Sequence, residues 1–336
     1  MIQTVLITGA GGYIGSVAAR MFLTRGYRVV ALDNFSTGYR APLAFLAREF
    51  GDDTLRVVEA DLTGDISRVF EKEKSISAVL HFAASCSVDE SMKDPQKYFT
   101  NNVVGSHNLL AAMMRHGVDT IIFSSTCAVY GDARYVPVDE KHPTAPANPY
   151  GASKLMTEQM IRWYGETGKL RYVILRYFNV CGASGDGEIG DSKKPSSLLV
   201  QNAVRGALGI APFYLTCPVV NTPDKTPIRD YVNVEDLCEA HLKALEYLEN
   251  KGSSTTLNLG TGTGNSVHEI IDAVQKVTGT SFCIGRSRPR SGEYPRMVAS
   301  ITKAAKVLDW KPKRTIKDSI TSLVRWYSRH PGGWEK

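Results

Sequence analysis

Two side chains suited to acid–base chemistry, Tyr150 and Lys154, stand four residues apart in a segment that opens with Asn148-Pro149. On a helix this spacing puts both on one face, where the ammonium favours the phenolate form of the tyrosine. The ordinary pKa of tyrosine is about 10, but a phenol supported in this way could take a proton from an alcohol near neutral pH. Because the same pair also arises by chance, its chemistry has to be judged from the elements around it.

A glycine-rich turn follows the first apolar run. Residues 4–8 have the pattern of a buried strand, residues 9–15 form a turn that contains Gly9, Gly12 and Gly15, and residues 16–25 have the pattern of an amphipathic helix. Glycines at this spacing let the backbone approach a pyrophosphate, which the helix N-terminus binds through free N–H groups. The turn therefore predicts a dinucleotide site, although a glycine-rich surface turn is the alternative.

Asp33 ends the next predicted strand, residues 28–32. Its carboxylate can accept hydrogen bonds from both adenosine ribose hydroxyls and would repel a 2′-phosphate. The cofactor predicted here is therefore NAD in preference to NADP.

Thr126 closes a third segment, Ser124-Ser125-Thr126, at the carboxyl end of the predicted strand 120–123. Ligands of open α/β sheets bind at this edge, so a hydroxyl there could hold a substrate alcohol against Tyr150. The alternative is that three small residues simply end a strand.

Strand and helix patterns alternate along the chain as far as about Asn179. Apolar runs occur at 55–58, 78–82, 120–123 and 172–175, and helical patterns lie near 66–74, 96–116 and 150–165. This alternation predicts an α/β fold with a Rossmann-type doubly wound parallel sheet. We expect an NAD-binding domain over residues 1–179, completed by a strand and a helix from about 229–250. A smaller C-terminal α/β domain over residues 180–336 would bind mainly the substrate, with some interleaving.

Composition and charge argue against several classes of protein. The 336 residues carry a net charge of +6, but the basic residues are spread and not interleaved with stacking aromatics, which argues against nucleic acid binding. No apolar run could cross a membrane, and Met1-Ile2-Gln3 leads directly into the first strand, so we expect a cytoplasmic protein with no membrane contact. Six scattered cysteines indicate reduced thiols and no metal site.

Taken together, the glycine turn, Thr126, Tyr150 and Lys154 resemble the extended short-chain dehydrogenase/reductase superfamily. The segment Arg176-Tyr177-Phe178-Asn179 with Gly182-Ala183, together with Arg229-Asp230-Tyr231-Val232 and Trp326-Tyr327, is similar to the UDP-glucose 4-epimerase family within it. The resemblance covers nearly the whole chain. It implies an isomerase of galactose metabolism that holds NAD and inverts carbon 4 of a UDP-hexose through a transient 4-keto sugar.

The resemblance also implies roles for individual residues. Thr126, Tyr150 and Lys154 would be catalytic. The NAD contacts implied by position are Gly9, Gly12, Tyr13, Ile14, Gly15, Asp33, Asn34, Asp61, Leu62, Phe82, Ala83, Asn101, Tyr150 and Lys154. The UDP-sugar contacts implied by position are Thr126, Asn179, Ser197, Leu198, Arg229, Tyr231, Val267, Arg290 and Met297. The helices near 96–116 and 150–165 resemble those of a homodimer interface.

The chain departs from the family pattern at three places. Cys86 stands where many relatives have a lysine, and Ser196-Ser197 and Thr216-Cys217 replace residues near the uridine. Met297, flexible and intermediate in size, occupies the position that closes the sugar pocket, so N-acetylhexosamines and pentoses stay open as substrates.

Three other kinds of protein have similar motifs, two of them enzymes and one non-catalytic. A 4,6-dehydratase needs an acid–base pair directly after Thr126, and Cys127-Ala128 cannot transfer those protons. UDP-glucuronate decarboxylases and epimerases share the tyrosine and lysine but resemble residues 176–183 poorly. A non-catalytic NAD-sensing protein would keep the glycine turn, yet it has no need of Thr126, Tyr150 and Lys154 together.

Overall fold

Parallel strands alternate with helices through the first half of the chain. The structure is a computed structural model that describes residues 3–194, 196–288 and 294–335. In chain order the elements are β1 (Thr4–Thr8), α1 (Tyr13–Thr24), β2 (Arg28–Asp33), α2 (Ala41–Phe50), β3 (Leu55–Glu59), α3 (Ser67–Lys72), β4 (Ile76–His81), α4 (Val88–Lys93), α5 (Pro95–Tyr98), α6 (Gly105–Arg115), β5 (Thr120–Thr126), α7 (Pro149–Glu166) and β6 (Arg171–Tyr177).

Strands are shorter in the second half. Its elements are β7 (Asn179–Cys181), α8 (Leu199–Ala207), β8 (Phe213–Leu215), β9 (Ile228–Arg229), β10 (Tyr231–Asn233), α9 (Val234–Glu249), β11 (Thr255–Leu259), β12 (Asn265–Ser266), α10 (Val267–Thr278), β13 (Ile284–Arg286), β14 (Arg296–Met297), α11 (Thr302–Leu308) and α12 (Ile316–Arg329).

Seven strands of the described chain form one parallel sheet in the order β11-β6-β5-β4-β1-β2-β3. The connections run outward in opposite directions from β1 and β4, so a crevice opens at the carboxyl ends of these two strands. This arrangement confirms the predicted Rossmann-type doubly wound fold, and the crevice is where ligands of such sheets bind.

Both faces of the sheet are covered by apolar side chains, as a parallel sheet requires. Along β5, Ile122 belongs to a cluster with residues of α1 and α9, whereas Ile121 and Phe123 belong to a second cluster with residues of α6 and α7. Ile161 anchors α7 in that second cluster with none of its surface exposed. The helix that carries Tyr150 and Lys154 is therefore fixed against the sheet.

The strand that completes the sheet differs from the expectation. It is β11, residues 255–259, whereas the sequence placed it within about 229–250. The candidate strand there, β10, pairs instead with β7 in a separate two-stranded sheet, because the chain leaves β6 at Phe178, whose N–H donates to the carbonyl of Leu259 at 3.0 Å. The helix from that region, α9, does pack against α1.

The helical segment expected at 96–116 is broken into three parts. A π-helical stretch, Phe99–Val104, lies between α5 and α6. Its widened turn places the amide of Asn102 inside the protein, where it accepts from the N–H of Ser85 at 2.8 Å and donates to Ser153 Oγ of α7 at 2.9 Å. Hydrophobic periodicity alone does not distinguish such a stretch from an α-helix.

A third apolar cluster holds the second half together. It joins α8, α10 and α12 through side chains such as Val204, Ile270 and Trp326, all of which are fully buried. No described helix combines the length and apolarity needed to cross a bilayer.

Candidate active site

The glycine turn after β1 has the close contacts that its sequence predicts. Gly9 has a φ of 71°, and a Cβ placed on Gly15 would lie 2.1 Å from the carbonyl oxygen of Gly9, so the first turn of α1 packs directly on the loop. The helix starts without a side-chain cap and without an acidic residue in its first turn. Its N–H groups and partial positive charge are therefore suited to a pyrophosphate, and this part of the site fits NAD.

Asp33 organises the same turn. Its Oδ2 accepts from the N–H of Gly11 at 2.8 Å and its Oδ1 from the N–H of Phe35 at 2.7 Å. Burial raises the pKa of Asp33, and these two backbone hydrogen bonds oppose that shift. Each oxygen still has a lone pair to offer, which is what two ribose hydroxyls require.

The predicted adenine-side residues lie at neighbouring strand ends. Asn34 Nδ2 donates to Asp61 Oδ2 at 2.8 Å, and the hydrogen bonds that Asp61 accepts from Thr63 lower its pKa. Leu62 is buried beside them. These side chains are therefore grouped at the edge beyond β2 and β3.

Nearer the middle of the crevice, Phe82 and Ala83 continue from β4. The N–H of Phe82 donates to the carbonyl of Thr8 at 3.1 Å, and a Cβ on Gly9 would lie 2.7 Å from the nitrogen of Ala83, so strand end and glycine turn are in direct contact. Asn101 donates to its neighbour Asn102 at 2.9 Å.

Tyr13 connects the two halves of the chain. Its hydroxyl donates to the carbonyl oxygen of Gly182 at 2.5 Å, and burial raises its pKa well above the ordinary value. The predicted NAD contact Ile14 follows it on α1, and its carbonyl accepts from the thiol of Cys238 on α9 at 3.8 Å.

The helix that carries the candidate catalytic pair begins where its sequence indicates. Asn148 caps it by accepting from the N–H of Gly151 at 2.8 Å, and Pro149 occupies the first turn. A Cβ on Gly151 would lie 2.6 Å from the carbonyl of Ala128, so α7 starts in contact with the turn that follows β5. This contact sets Tyr150 against the carboxyl end of that strand.

The side chain of Tyr150 is half-buried and lies beside Thr126. Its ring meets that of Tyr98 edge-on, with centroids 6.3 Å apart. Burial raises the pKa of Tyr150 above its ordinary value, and the neighbouring hydroxyl of Thr126 acts in the opposite direction. The protein's own groups therefore position the phenol without making it a phenolate, which differs from the expectation drawn from Lys154 alone.

Lys154, four residues after Tyr150 on the same face of α7, is buried with 3% of its surface exposed. Its ammonium donates to the carbonyl oxygen of Ser124 at 2.8 Å and lies 4.9 Å from the centre of the Phe123 ring. Burial lowers the pKa of Lys154 to about 8. At neutral pH this lysine still carries a positive charge most of the time.

Glu158 is a residue of this region that the sequence analysis missed. Its carboxylate accepts from Ser125 Oγ at 2.6 Å, from Arg176 Nε at 2.9 Å and from Arg162 Nη2 at 2.9 Å. It stands four residues after Lys154, so the spacing that singled out Tyr150 and Lys154 could have extended to it. It ties α7, the helix that carries the candidate catalytic pair, to β5 and β6.

His81 was also missed. It accepts or donates hydrogen bonds with Thr8 Oγ1 at 2.7 Å and Ser106 Oγ at 2.8 Å, and burial with the nearby charge of Lys154 lowers its pKa to about 3. It is therefore neutral and ties β1, β4 and α6 together at the base of the crevice. A single histidine ending a strand gives no sequence signal of this role.

A pocket of about 120 Å³ lies between α8 and β8. Six of the nine predicted UDP-sugar residues line it, namely Asn179, Ser197, Leu198, Arg229, Tyr231 and Val267. Arg229 is held there by donating to the carbonyl of Tyr294 at 2.8 Å. The structure brings these six side chains together, while their roles remain predictions.

The other three predicted substrate residues lie elsewhere. Thr126 is in the crevice beside Tyr150, and Arg290 lies outside the described residues. Met297 is 4% exposed and packs in a small cluster with Val129 and Phe178, close to the turn after β5.

The departure at Cys86 is accompanied by a lysine from another part of the chain. Lys193 Nζ lies 3.6 Å from the Sγ of Cys86, which is exposed and close enough to the candidate catalytic pair to influence the pKa of both Tyr150 and Lys154. At the second departure, Ser196 Oγ donates to Asp191 Oδ2 at 3.0 Å. The loop before α8 therefore places the positively charged side chain of Lys193 beside Cys86.

A dinucleotide crevice, a Tyr/Lys/Thr constellation at its edge and an adjoining pocket are the features of a nucleotide-dependent α/β enzyme. The chain belongs to the NAD dependent epimerase/dehydratase family, whose model matches residues 5–260. This membership confirms the predicted NAD dependence.

Several relatives and solved structures match this chain over nearly its full length. The chain is 41% identical to a UDP-glucose 4-epimerase of Rhizobium meliloti (strain 1021) over 334 residues, 98% of this chain and 99% of the relative. A crystal structure of UDP-glucose 4-epimerase from Bifidobacterium longum in complex with NAD⁺ and UDP matches with a TM-score of 0.93 at 33% identity, covering 99% of this chain and 100% of that one. A UDP-glucose-4-epimerase from Stenotrophomonas maltophila with bound NAD and formylated UDP-arabinopyranose matches with a TM-score of 0.92 at 35% identity, covering 98% of each chain.

Proposed function

We propose that the protein interconverts UDP-galactose and UDP-glucose by inverting carbon 4 of the sugar, with NAD held throughout the cycle. The observation that carries this proposal is the placement of the Tyr150 phenol, which lies beside Thr126 and on the same face of α7 as Lys154. Full-length relatives of about 40% identity that are named UDP-glucose 4-epimerases support the substrate class.

Bound NAD supplies the hydride acceptor for carbon 4 of the sugar and later the hydride donor. The residues fitted to hold it are the uncapped N-terminus of α1 for the pyrophosphate and Asp33 for the adenosine ribose. Inverting the carbon without net redox change requires that the 4-keto sugar present its other face before the hydride returns.

Tyr150 is the proton carrier in this scheme. It takes the proton of the 4-hydroxyl as carbon 4 is oxidised and returns it to the new alkoxide afterwards, while Thr126 aligns the hydroxyl. Burial raises the pKa of the phenol in the protein alone, so the positive charge of Lys154 and that of the oxidised cofactor have to lower it during the reaction. A lysine with a pKa of about 8 is mostly charged at neutral pH and meets this need.

The pocket between α8 and β8 would take the nucleotide part of the substrate. Arg229 presents a guanidinium suited to the diphosphate, and Tyr231 and Val267 would flank the base. On this view residues 1–179 bind mainly NAD and residues 180–336 mainly the UDP-sugar. α9 packs against α1 and β11 pairs with β6, although both come from the second half of the chain. These contacts support the interleaving of the two parts.

A UDP-pentose or UDP-N-acetylhexosamine is the second candidate substrate. Met297 supports it, because a buried but flexible side chain at the sugar end of the site can adapt to a smaller or larger sugar. The related structure with formylated UDP-arabinopyranose supports the pentose in particular.

We also propose that the enzyme works as a homodimer in the cytoplasm. Apolar side chains that are 39–72% exposed occur on α4 and α7, namely Val88, Met92, Met156 and Trp163, and these two helices contact each other. Exposed apolar side chains on two packed helices are typical of a subunit interface. Free cysteines, two of them buried, suit a reducing compartment.

The deciding experiment is an assay of UDP-galactose conversion by the purified protein without added cofactor. We expect turnover in the wild type and a loss of about 10²- to 10⁴-fold in kcat for Tyr150→Phe, which keeps the ring but cannot carry the proton. A parallel panel of UDP-arabinose and UDP-N-acetylgalactosamine ranks the substrates. If the NAD-loaded wild type turns over no UDP-sugar, or if Tyr150→Phe matches it, the proposal is wrong and a non-catalytic NAD-binding role gains support.

A further inference from the structure

Lys193 brings a positive charge to the crevice from the second half of the chain. Its ammonium lies 3.6 Å from the Sγ of Cys86, and within the part of the chain that the structure describes this thiol is its one hydrogen-bond acceptor. A thiol is a weak acceptor, so it does not satisfy an ammonium on a half-buried side chain. The charge is therefore available to an anion that enters the crevice.

The turn that carries Lys193 is fixed to the helix α12. The carbonyl oxygen of Asp191 accepts from Nε1 of Trp326 at 3.1 Å and from the hydroxyl of Tyr327 at 3.2 Å. Oδ1 of the same aspartate accepts from the N–H of Lys193 at 3.1 Å. Because both aromatic side chains are buried, Lys193 extends from an anchored piece of backbone.

The same turn also contacts the glycine turn of the first half. The hydroxyl of Tyr39 donates to the carbonyl oxygen of Ser192 at 2.7 Å, and the N–H of Tyr39 donates to the carbonyl oxygen of Gly11 at 2.9 Å. Ser192 is thus connected through one residue to the loop that leads into α1. The side chain of the next residue, Lys193, then reaches the segment that follows β4.

The two ends of this connection lie on opposite sides of the crevice between β1 and β4. Ser192 is on the side of the glycine turn, whereas Cys86 is on the side of β4 and close to Tyr150 and Lys154. An NAD molecule with its adenosine at Asp33 and its nicotinamide at Tyr150 has its pyrophosphate between these points. The ammonium of Lys193 lies in this interval.

We propose that Lys193 is a cofactor-binding residue that hydrogen bonds to the pyrophosphate of NAD and closes the crevice over it. The uncapped N-terminus of α1 offers N–H groups to the same pyrophosphate, and the ammonium adds a full positive charge. The diphosphate of the substrate has a cation of its own, Arg229, in the pocket between α8 and β8. This inference rests on the proposed function, because it takes the nicotinamide to lie at Tyr150.

A contact of this kind acts on the release of the cofactor. NAD is held mainly by the first half of the chain, and Lys193 adds a bond from the second half that has to break before NAD can leave. Differences in affinity between variants of one site are mostly differences in dissociation rate. Since Lys193 does not contact Tyr150 or Lys154, we expect it to govern NAD release and to leave kcat at saturating NAD unchanged.

The test measures how fast the purified, NAD-loaded proteins exchange their cofactor for an excess of isotopically labelled NAD, with mass spectrometry as the readout. We expect Lys193→Met to exchange NAD about tenfold faster than wild type, as the loss of one charge-assisted hydrogen bond implies. Lys194→Met is the matched control, because it removes the same charge from the exposed neighbouring residue, and it should exchange NAD at the wild-type rate.

A second variant returns the charge from the other side of the same contact. Cys86→Lys/Lys193→Met places an ammonium on the segment after β4, and we expect its exchange rate to lie within about threefold of wild type. A double variant that exchanges NAD as fast as Lys193→Met overturns the electrostatic role given to Lys193. If Lys193→Met does not fold, Lys193→Gln takes its place in both comparisons.

Three further outcomes overturn the inference. The first is exchange by Lys193→Met at the wild-type rate, and the second is equally fast exchange by Lys194→Met, which would reflect the net charge alone. The third is a raised KM for UDP-galactose with unchanged NAD exchange, which would assign the ammonium to the substrate diphosphate. Wild type that holds NAD but turns over no UDP-sugar overturns the proposed function, whereas the exchange rates still decide the role of Lys193, so the two failures are distinguishable.

Discussion

The carboxylate of Glu158 forms a two-point ion pair with the guanidinium of Arg176, with Nε at 2.9 Å from Oε1 and Nη2 at 2.6 Å from Oε2. Both residues are buried, with exposed fractions of 0% and 2%. Because Ser125 Oγ also donates to this carboxylate at 2.6 Å, one acidic side chain joins α7 to both β5 and β6. The helix that carries Tyr150 is thereby fixed to the strand that carries Thr126.

Removing one partner of this ion pair should destabilise the protein strongly. We expect Glu158→Leu to cost about 3–5 kcal/mol of unfolding free energy, because it leaves the charge of Arg176 buried and unpaired. The double variant Glu158→Leu/Arg176→Met should cost less than Glu158→Leu, since no charge is then left uncompensated. Urea unfolding measures both, with Glu166→Leu at the exposed end of α7 as the control. A Glu158→Leu variant as stable as this control would contradict the role given to the ion pair.

The buried ammonium of Lys154 should make stability depend on alkaline pH. Its pKa is about 8 in the folded protein and about 10.5 when unfolded, so between these values the unfolded state binds more protons and folding becomes more favourable as the pH rises. Lys154→Met removes the titration, and its stability advantage over wild type should shrink by about 3 kcal/mol between pH 7 and pH 10.5. Urea unfolding of the cofactor-free proteins across this range gives the difference. A difference that does not change with pH would show that the pKa of Lys154 is not lowered.

The two glycines that flank the start of α1 should respond differently to alanine. A Cβ on Gly15 would lie 2.1 Å from the backbone oxygen of Gly9, so Gly15→Ala forces the backbone apart, and we expect a loss of about 1–3 kcal/mol in stability even without cofactor. A Cβ on Gly12 meets only the same oxygen at 3.2 Å, so Gly12→Ala should change stability by less than about 1 kcal/mol.

Gly12→Ala should nevertheless lower the NAD content of the purified protein, because the added methyl group stands where the backbone approaches the pyrophosphate. Thermal melting and the amount of NAD released on denaturation separate the two effects. If Gly12→Ala retains a full complement of NAD, the assignment of this turn to the pyrophosphate is wrong.

Local patterns in the sequence were enough to predict the cofactor half of the site. The strand and turn around Gly9 and Asp33 are encoded by short apolar runs and by glycines whose conformations few other residues adopt, and these signals lie within about thirty residues of one another. The helix face of Tyr150 and Lys154 follows from spacing in the same way. The pKa of Tyr150 did not follow, because burial is set by residues distant in sequence, among them Tyr98.

Contacts between distant segments could not be predicted. The bond from Tyr13 to the carbonyl of Gly182 joins residues 169 apart and involves only a backbone oxygen, which carries no sequence signal. Both the strand that completes the sheet, 255–259, and the short strand 231–233 fit the predicted role from sequence. Which of them joins the large sheet is decided by β7, which pairs with residues 231–233 in a separate sheet.

The exposed apolar face of α4 and α7 should hold two copies of the chain together. Trp163 is 72% exposed and Met156 is 46% exposed, and their separation of seven residues places them on one side of α7. We expect the wild type to be a dimer at micromolar concentration and Met156→Glu/Trp163→Arg to be a folded monomer, because the two charges would be buried without partners in the interface. Sedimentation velocity measures the assembly, and Val219→Arg, at a site that is 82% exposed on another part of the surface, should remain dimeric. A monomeric wild type, or a double variant that still dimerises, would show that this face does not form the interface.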